Sequence, residues 1–251
     1  IADFNNDSYL DYIQVDMDAK DNRRSKANMA SMNPDLFWST VNYGFHYQYM
    51  HNTLQLNRRI EGNKPFFSNI SRLSGISSTD WSWGPLFADL DNDGYDEIFI
   101  NNIGEPNKLF KISNNGELNQ IQLNVGLETY GLGTGAAVAD IDNDGILELL
   151  ISHGESGLQP LSLYKANIKK PFRFLRIFPK TIYNAPARGS TVILNTNLRK
   201  HAKTIDAGSG YLCQMEPVAH YGLRKNEKVE SVTIKCTDGS SNNFKIDKLN
   251  K

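Results

Sequence analysis

A nine-residue acidic pattern occurs three times in this 251-residue chain and limits its fold more than any other feature. The copies are Asp3-Phe4-Asn5-Asn6-Asp7-Ser8-Tyr9-Leu10-Asp11, Asp89-Leu90-Asp91-Asn92-Asp93-Gly94-Tyr95-Asp96-Glu97 and Asp140-Ile141-Asp142-Asn143-Asp144-Gly145-Ile146-Leu147-Glu148. Each places side-chain oxygens at positions 1, 3, 5 and 9, with Gly or Ser at position 6. Carboxylates this close repel one another when ionised. A hard divalent cation relieves that repulsion, and calcium accepts about six to eight oxygens in a flexible shell. A turn-permissive residue at position 6 lets the chain reverse sharply. The expected calcium ligands are therefore Asp3, Asn5, Asp7 and Asp11 in the first loop, and Asp89, Asp91, Asp93 and Glu97 in the second. In the third they are Asp140, Asp142, Asp144 and Glu148. The backbone carbonyls of Tyr9, Tyr95 and Ile146 at position 7 complete each ring. One such loop could be a solvated acidic turn; three in one register favour a metal.

The flanks exclude an EF-hand, which needs helices on both sides and a Glu at position 12. Here position 12 is Gln14, Ile100 or Ile151. Each loop runs instead into a short apolar stretch, Tyr12-Ile13, Ile98-Phe99-Ile100 or Leu149-Leu150-Ile151, and the last two are preceded by Leu86-Phe87-Ala88 and Ala136-Ala137-Val138-Ala139. Strand, tight turn and strand make a hairpin. Further strands are expected at Asn107–Ile112, Leu118–Val125 and Leu161–Tyr164, with Thr53–Asn57 and Phe66–Ile70 filling the same slots upstream. The second and third loops start 51 residues apart. Four short strands per period of roughly 40–50 residues is the signature of a propeller blade.

The first and second loops start 86 residues apart, so the first period carries an insertion between about Asp16 and His51. In it, Asn33-Pro34-Asp35 reads as cap, first helical residue and dipole-favoured acid, with Gly44 as the stop. Leu36, Phe37, Val41 and Tyr43 are expected to bury one side of that helix. The aromatic run Phe45–His51 is expected to pack on the blade rather than form a binding surface.

The net charge of −1 conceals a division. Residues 1–168 hold 11 Lys and Arg against 22 Asp and Glu, a net of −11, while residues 169–251 hold 16 against 6, a net of +10. The loop ligands themselves account for eleven negative charges. A basic C-terminal region suits an acidic partner such as a sulfated glycan, nucleic acid or the acidic region itself. Its cations are dispersed, without aromatic interleaving or a recognition helix, which disfavours nucleic acid. The densest run, Arg199-Lys200-His201-Ala202-Lys203, reads as a solvated hairpin turn. Cys213 and Cys236 share strand faces with apolar neighbours and are expected to point into the core, as free thiols or as a disulfide. No segment is long enough to span a membrane. Asn69-Ile70-Ser71 is a glycosylation sequon.

The acidic hairpins resemble FG-GAP (integrin α-like) repeats. Asp80-Trp81-Ser82-Trp83-Gly84 is similar to the subset fused to an ASPIC/UnbV domain. Ala187–Val192, Ala207–Leu212, His220-Tyr221-Gly222-Leu223 and Val229–Ile234 resemble that domain's successive motifs, in order. The combination is similar to the cartilage acidic protein group, secreted calcium-binding proteins of the extracellular matrix. Departures are Ser8 for Gly and Asn5 for Asp in the first loop, and Cys236-Thr237 where Trp-Pro is usual. Such propellers close with about seven blades, so two to three blades and a start inside a hairpin suggest the C-terminal part of a longer protein. The resemblance implies an all-β chain: residues 1–168 as incomplete propeller blades with a helical insertion, and residues 169–251 as a β-sandwich-like ASPIC/UnbV domain.

The function expected is that of a non-enzymatic, secreted calcium-binding protein of adhesion or matrix type, with an extracellular protein or glycan as partner and calcium structural in the hairpins. The alternatives are a calcium-dependent glycan-binding module and a polysaccharide-active enzyme using paired carboxylates. The enzyme needs two acids held in different environments, whereas these come in repeated, undifferentiated sets. The C-terminal domain, lacking an acidic loop, is expected to fold without calcium, and the first loop to be the weakest site.

Overall fold

The computed structural model describes residues 1–17, 34–45, 50–61, 64–113, 117–127, 133–154, 158–169, 173–206, 208–246 and 248–249, with the backbone alone for 34, 36, 37, 60 and 61. Three antiparallel sheets follow one another along the acidic region. The first contains β1 (Tyr12–Gln14), β2 (Thr53–Glu61) and β3 (Lys64–Asn69), in that order, and Ala2 bridges Asp11 across the first loop. The second contains β4 (Ser82–Ala88), β5 (Glu97–Asn102), β6 (Lys108–Ile112) and β7 (Leu118–Gln120). The third contains β8 (Gly133–Ala139), β9 (Glu148–His153) and β10 (Ser162–Lys165). The loops at 89–97 and 140–148 join the first two strands of their sheets.

The period-2 alternation of a strand explains how these sheets stack. Every residue of β5 is buried. Ile98 and Ile100 enter a cluster with Phe4, Leu54, Leu56 and Ile76, towards the first sheet. Phe99, between them, joins Val138, Leu147, Leu149 and Ile151, towards the third. A strand apolar on both faces thus sits between two neighbours, as in the middle blade of a partial propeller. Truncating fully buried Phe99 to Ala would cost about 3–5 kcal/mol. The strand expected over Leu118–Val125 ends at Gln120 and continues as a turn.

The insertion lies between β1 and β2 and carries helix α1 (Pro34–Asn42). Pro34 opens it, Asp35 is in its first turn, and Gly44 follows its end at φ 81°. Its burial departs from expectation: Val41 is half-buried, and Tyr43 is 82% exposed. Phe45, expected to pack, is also exposed. Asn33, residues 46–49 and the side chains of Leu36 and Phe37 lie outside the described set.

Beyond residue 172 the chain forms two more sheets. One pairs β11 (Arg173–Ile177) with β14 (Ala219–Leu223); the other runs β13 (Lys200–Thr204), β12 (Thr191–Thr196), β15 (Val229–Lys235), β16 (Ser241–Phe244). Leu175, Tyr221 and Leu223 from the first pack with Val192, Leu194 and Val232 from the second. The Tyr221 hydroxyl donates to the Val192 carbonyl at 2.8 Å, tying the two sheets. Cys213 and Cys236 are free and only half-buried, so neither reaches the core as expected.

Candidate metal centres and the domain seated on them

The second and third loops have the same construction. Residues 4 and 6 of each adopt positive φ: Asn92 at 57° and Gly94 at 87°, Asn143 at 58° and Gly145 at 85°. That conformation lets backbone N–H groups turn inward. Gly94 N donates to Asp89 Oδ2 at 3.0 Å, Tyr95 N to Asp93 Oδ1 at 2.9 Å, and Leu90 N to Glu97 Oε2 at 2.9 Å. Gly145 N, Ile146 N and Ile141 N repeat this with Asp140 Oδ2, Asp144 Oδ1 and Glu148 Oε2 at 3.0, 3.0 and 2.7 Å.

These bonds hold one oxygen of each deep carboxylate and leave the other. Among the described residues, Asp89 Oδ1, Asp140 Oδ1 and Glu97 Oε1 are buried with no hydrogen-bond partner, Glu97 Oε1 having only the Lys111 ammonium at 3.6 Å. An unpartnered buried carboxylate oxygen is costly unless a cation faces it. Ligand atoms of Asp89, Asp91 and Glu97 lie within 4.8 Å of one another, as do those of Asp140, Asp142 and Glu148. Asp93 and Asp144 stand beside them, part-exposed. Burial pushes Asp89 up to about 7, and burial with the charges of Asp91 and Asp89 pushes Glu97 well above the usual range. The donors are hard oxygens without His or Cys, which fits calcium. Ile146 is buried beneath its loop, and Arg224 stacks on the Tyr95 ring at 4.6 Å.

Each cluster also has a tethered cation. Lys165 pairs with Glu148 in the β9–β10 ladder, and Lys111 holds the equivalent place opposite Glu97. Lys165 Nζ lies 2.7 Å from Asp142, 3.0 Å from Asp144 and 2.6 Å from Glu148. Lys111 Nζ contacts Asp91 and lies 2.7 Å from Asp93 and 3.6 Å from Glu97.

The first loop turns its donors inward. Asp3 Oδ1 accepts Asp7 N and Oδ2 accepts Ser8 N, both at 2.8 Å. Asn5 bonds Asp7 from its side chain, and Tyr9 N donates to Asp7 Oδ1 at 2.9 Å. Asp11, one methylene shorter than Glu, accepts Asn57 N on Oδ1 and Phe4 N on Oδ2. All six carboxylate oxygens are thus engaged by protein donors. Burial pushes Asp3 up to about 6 and Asp11 to about 7. Ser8 occupies φ 72° without the freedom of Gly, and Leu56 stands where the other loops have Lys. Tyr9 is part-exposed under Arg59.

The asparagine at position 4, which spacing arguments on ligands passed over, links the loops in series. Asn6 Nδ2 donates to the Gly94 carbonyl at 2.9 Å, and Asn92 Nδ2 to the Gly145 carbonyl at 2.6 Å. Its recurrence in all three copies was the available signal.

The C-terminal sheets sit on this face of the loops. Each position-1 aspartate receives a donor from a different strand through Oδ2. Ala202 N of β13 reaches Asp3 at 2.9 Å, Gly222 N of β14 reaches Asp89 at 2.8 Å, and Arg176 of β11 reaches Asp140 at 3.0 Å. His220 Nε2 donates to Asn92 Oδ1 at 2.7 Å. Arg199 joins Glu227, at 2.7 Å, to the Gly94 carbonyl and to Asn6. Lys203 pairs with fully enclosed Asp96 at 2.6 Å. Burial opposes ionisation of Asp96, yet Lys203 and His201 hold it well below the usual carboxylate range. The run 199–203, expected as a solvated turn, is therefore an interface strand: the side chains of Arg199 and His201 are 6% and 0% exposed. Arg199, His201 and Lys203 face the acidic loops, while Lys200 between them is exposed.

Residues 89–151 match the FG-GAP-like repeat family model, and residues 180–251 match ASPIC and UnbV. Over 163 residues, 61% of this chain, the sequence is 46% identical to cartilage acidic protein 1 of Homo sapiens and 45% identical to that of Mus musculus. The matched stretch covers 24% and 25% of those proteins, so the chain corresponds to about a quarter of their length. Together with the sheets and loops described above, these matches identify an FG-GAP-like repeat segment followed by an ASPIC/UnbV domain.

Proposed function

We propose that the loops at 89–97 and 140–148 bind calcium, and that calcium serves the fold rather than a reaction. The carrying observation is the pair of buried, unpartnered oxygens on Asp89 and Asp140, each converging with a second and third carboxylate. Asp89, Asp91, Asp93 and Glu97 would hold one ion, with the Tyr95 carbonyl. Asp140, Asp142, Asp144 and Glu148 would hold another, with the Ile146 carbonyl. Asp3, Asn5, Asp7, Asp11 and the Tyr9 carbonyl form a weaker third site.

The acids of both strong loops carry the same roles at the same positions. A glycosidase needs one carboxyl kept protonated beside one kept ionised; two copies of one ligand set do not provide that division. We therefore read the protein as a non-enzymatic, secreted matrix-interaction protein, with residues 1–168 as propeller blades and 169–251 as the ASPIC/UnbV domain. The similarity to cartilage acidic protein 1 supports that setting, and an extracellular protein or glycan is the partner class.

A thermal melt with and without chelator tests the calcium role. A ligand that binds only the native state stabilises by RT ln(1 + [L]/Kd), about 2.7 kcal/mol per site at one hundred times Kd. Chelation should lower the midpoint by several degrees. An unchanged midpoint contradicts a structural calcium.

A further inference from the structure

We propose that calcium binding and seating of the C-terminal domain are thermodynamically coupled, because the position-1 aspartates serve both at once. The proposal rests on the calcium reading above. Asp89 offers Oδ2 to Gly94 N inside its own loop and to Gly222 N across the interface, at 3.0 and 2.8 Å. Its Oδ1 is buried and faces the candidate ion. Asp140 divides itself the same way, with Oδ2 on Gly145 N and Arg176 at 3.0 Å each, and Oδ1 unpartnered. One carboxylate thus has a metal-facing oxygen and a domain-facing oxygen.

The sign of the coupling follows from solvation. Asp89 is 0% exposed, and the seated domain is part of what keeps water from it. With water excluded, the metal-facing oxygen depends on a cation for compensation. When calcium leaves, undocking readmits water to the stranded oxygen. When the domain leaves, the carboxylate loses one of the two donors that aim it at the ion. Each event therefore favours the other, and linkage requires the two effects to be equal in size.

The seat is built for close approach. A Cβ on Gly222 would lie 2.5 Å from the backbone of Asn92 and 2.5 Å from Asp89 Oδ2. At Gly145 a Cβ would lie 2.0 Å from the Phe174 ring of β11. Both glycines belong to the contact between a loop and a C-terminal strand. Coupling should be strongest at the second loop, where the donor is a neutral N–H. At the third loop the Arg176 guanidinium also repels the ion, which offsets part of the gain.

Amide-resolved hydrogen exchange on the full chain, with calcium and then with EGTA, reads the docked state directly. Calorimetric calcium titration of the unmodified chain and of Gly222→Ala reads the reciprocal effect. We expect Gly222 and Ala202 amides to exchange at least about tenfold faster in EGTA, while the β12–β15 ladder stays protected. Gly222→Ala should weaken calcium at the second loop by about tenfold, within the usual range of coupling. Should Gly222→Ala misfold, the exchange experiment on the unmodified chain carries the test. Calcium binding with unchanged Gly222 and Ala202 exchange overturns the coupling and leaves the calcium reading standing. No heat of calcium binding overturns both.

Discussion

The first loop and its two successors share a template and differ in what their oxygens do. In the second and third, each deep carboxylate spends one oxygen on the turn and turns the other towards a common point. In the first, Asp3, Asp7 and Asp11 meet N–H donors with every oxygen, and the turn is satisfied from within. Position 9 makes much of the difference. Glu97 and Glu148 accept the position-2 amide with one oxygen and extend the other into the cluster, whereas Asp11 spends its second oxygen on Asn57 N. On the calcium reading proposed above, what suits an acidic loop to a cation is the carboxylate oxygens it leaves without N–H partners from its own backbone, more than the number of acids it contains.

The largest effect on this comparison should come from glycine at position 6. Gly145→Ala places a methyl group against Phe174 at φ 85°. Overpacking and backbone strain together should cost about 2–4 kcal/mol, read by denaturant unfolding. Ser8→Gly, at the same position of the first loop, should stabilise by about 0.5 kcal/mol because it relieves a left-handed non-glycine. Equal effects of opposite expectation would break the distinction between a packed and an open turn.

Acid should separate the loops next. Arg199 reaches both the first and the second loop, but only the second also meets a described histidine of the C-terminal domain, His220, whose pKa burial pushes down to about 3. A histidine depressed in the native state contributes stability that falls as pH drops from about 6.5, since the unfolded chain then binds the extra proton. Asp89, raised to about 7, acts in the opposite sense when no ion is bound. A difference measurement isolates the imidazole. In saturating calcium, His220→Gln should lose about 2 kcal/mol less than the unmodified chain between pH 7 and pH 5. An identical pH profile would contradict a neutral, buried His220.

The smallest effect concerns the tethered cations. Lys111 reaches three carboxylates of the second loop, and Leu56 takes its place in the first. Lys111→Met should tighten calcium at the second loop several-fold, because an ammonium no longer competes for the same oxygens. Weaker binding would instead make the lysine a supporting element of the site.

The hairpins and their order were legible because they depend on local periodicity and turn chemistry. Ile98 and Phe99 alternate along one strand, and Gly94 marks a position that needs positive φ. What was not legible depends on long-range seating. Arg199 lies at the entry to polar β13 and His201 within it, and polarity alone does not distinguish a strand facing water from one facing a carboxylate-rich surface. The opposite charges of residues 1–168 and 169–251 hinted at that contact without locating it. Tyr43 failed for a similar reason: periodicity gives a helix an apolar side, but only tertiary contacts decide whether it is covered.

Calorimetric calcium titration of the full chain and of Asp7→Ala, Asp91→Ala and Asp142→Ala separates the second and third loops from the first. Two strong sites are expected, one abolished by Asp91→Ala and the other by Asp142→Ala, with Asp7→Ala altering only weak binding. Loss of the strongest binding in Asp7→Ala with the other two intact, or an isotherm that none of the three changes, would show that the second and third loops are not the strong calcium sites.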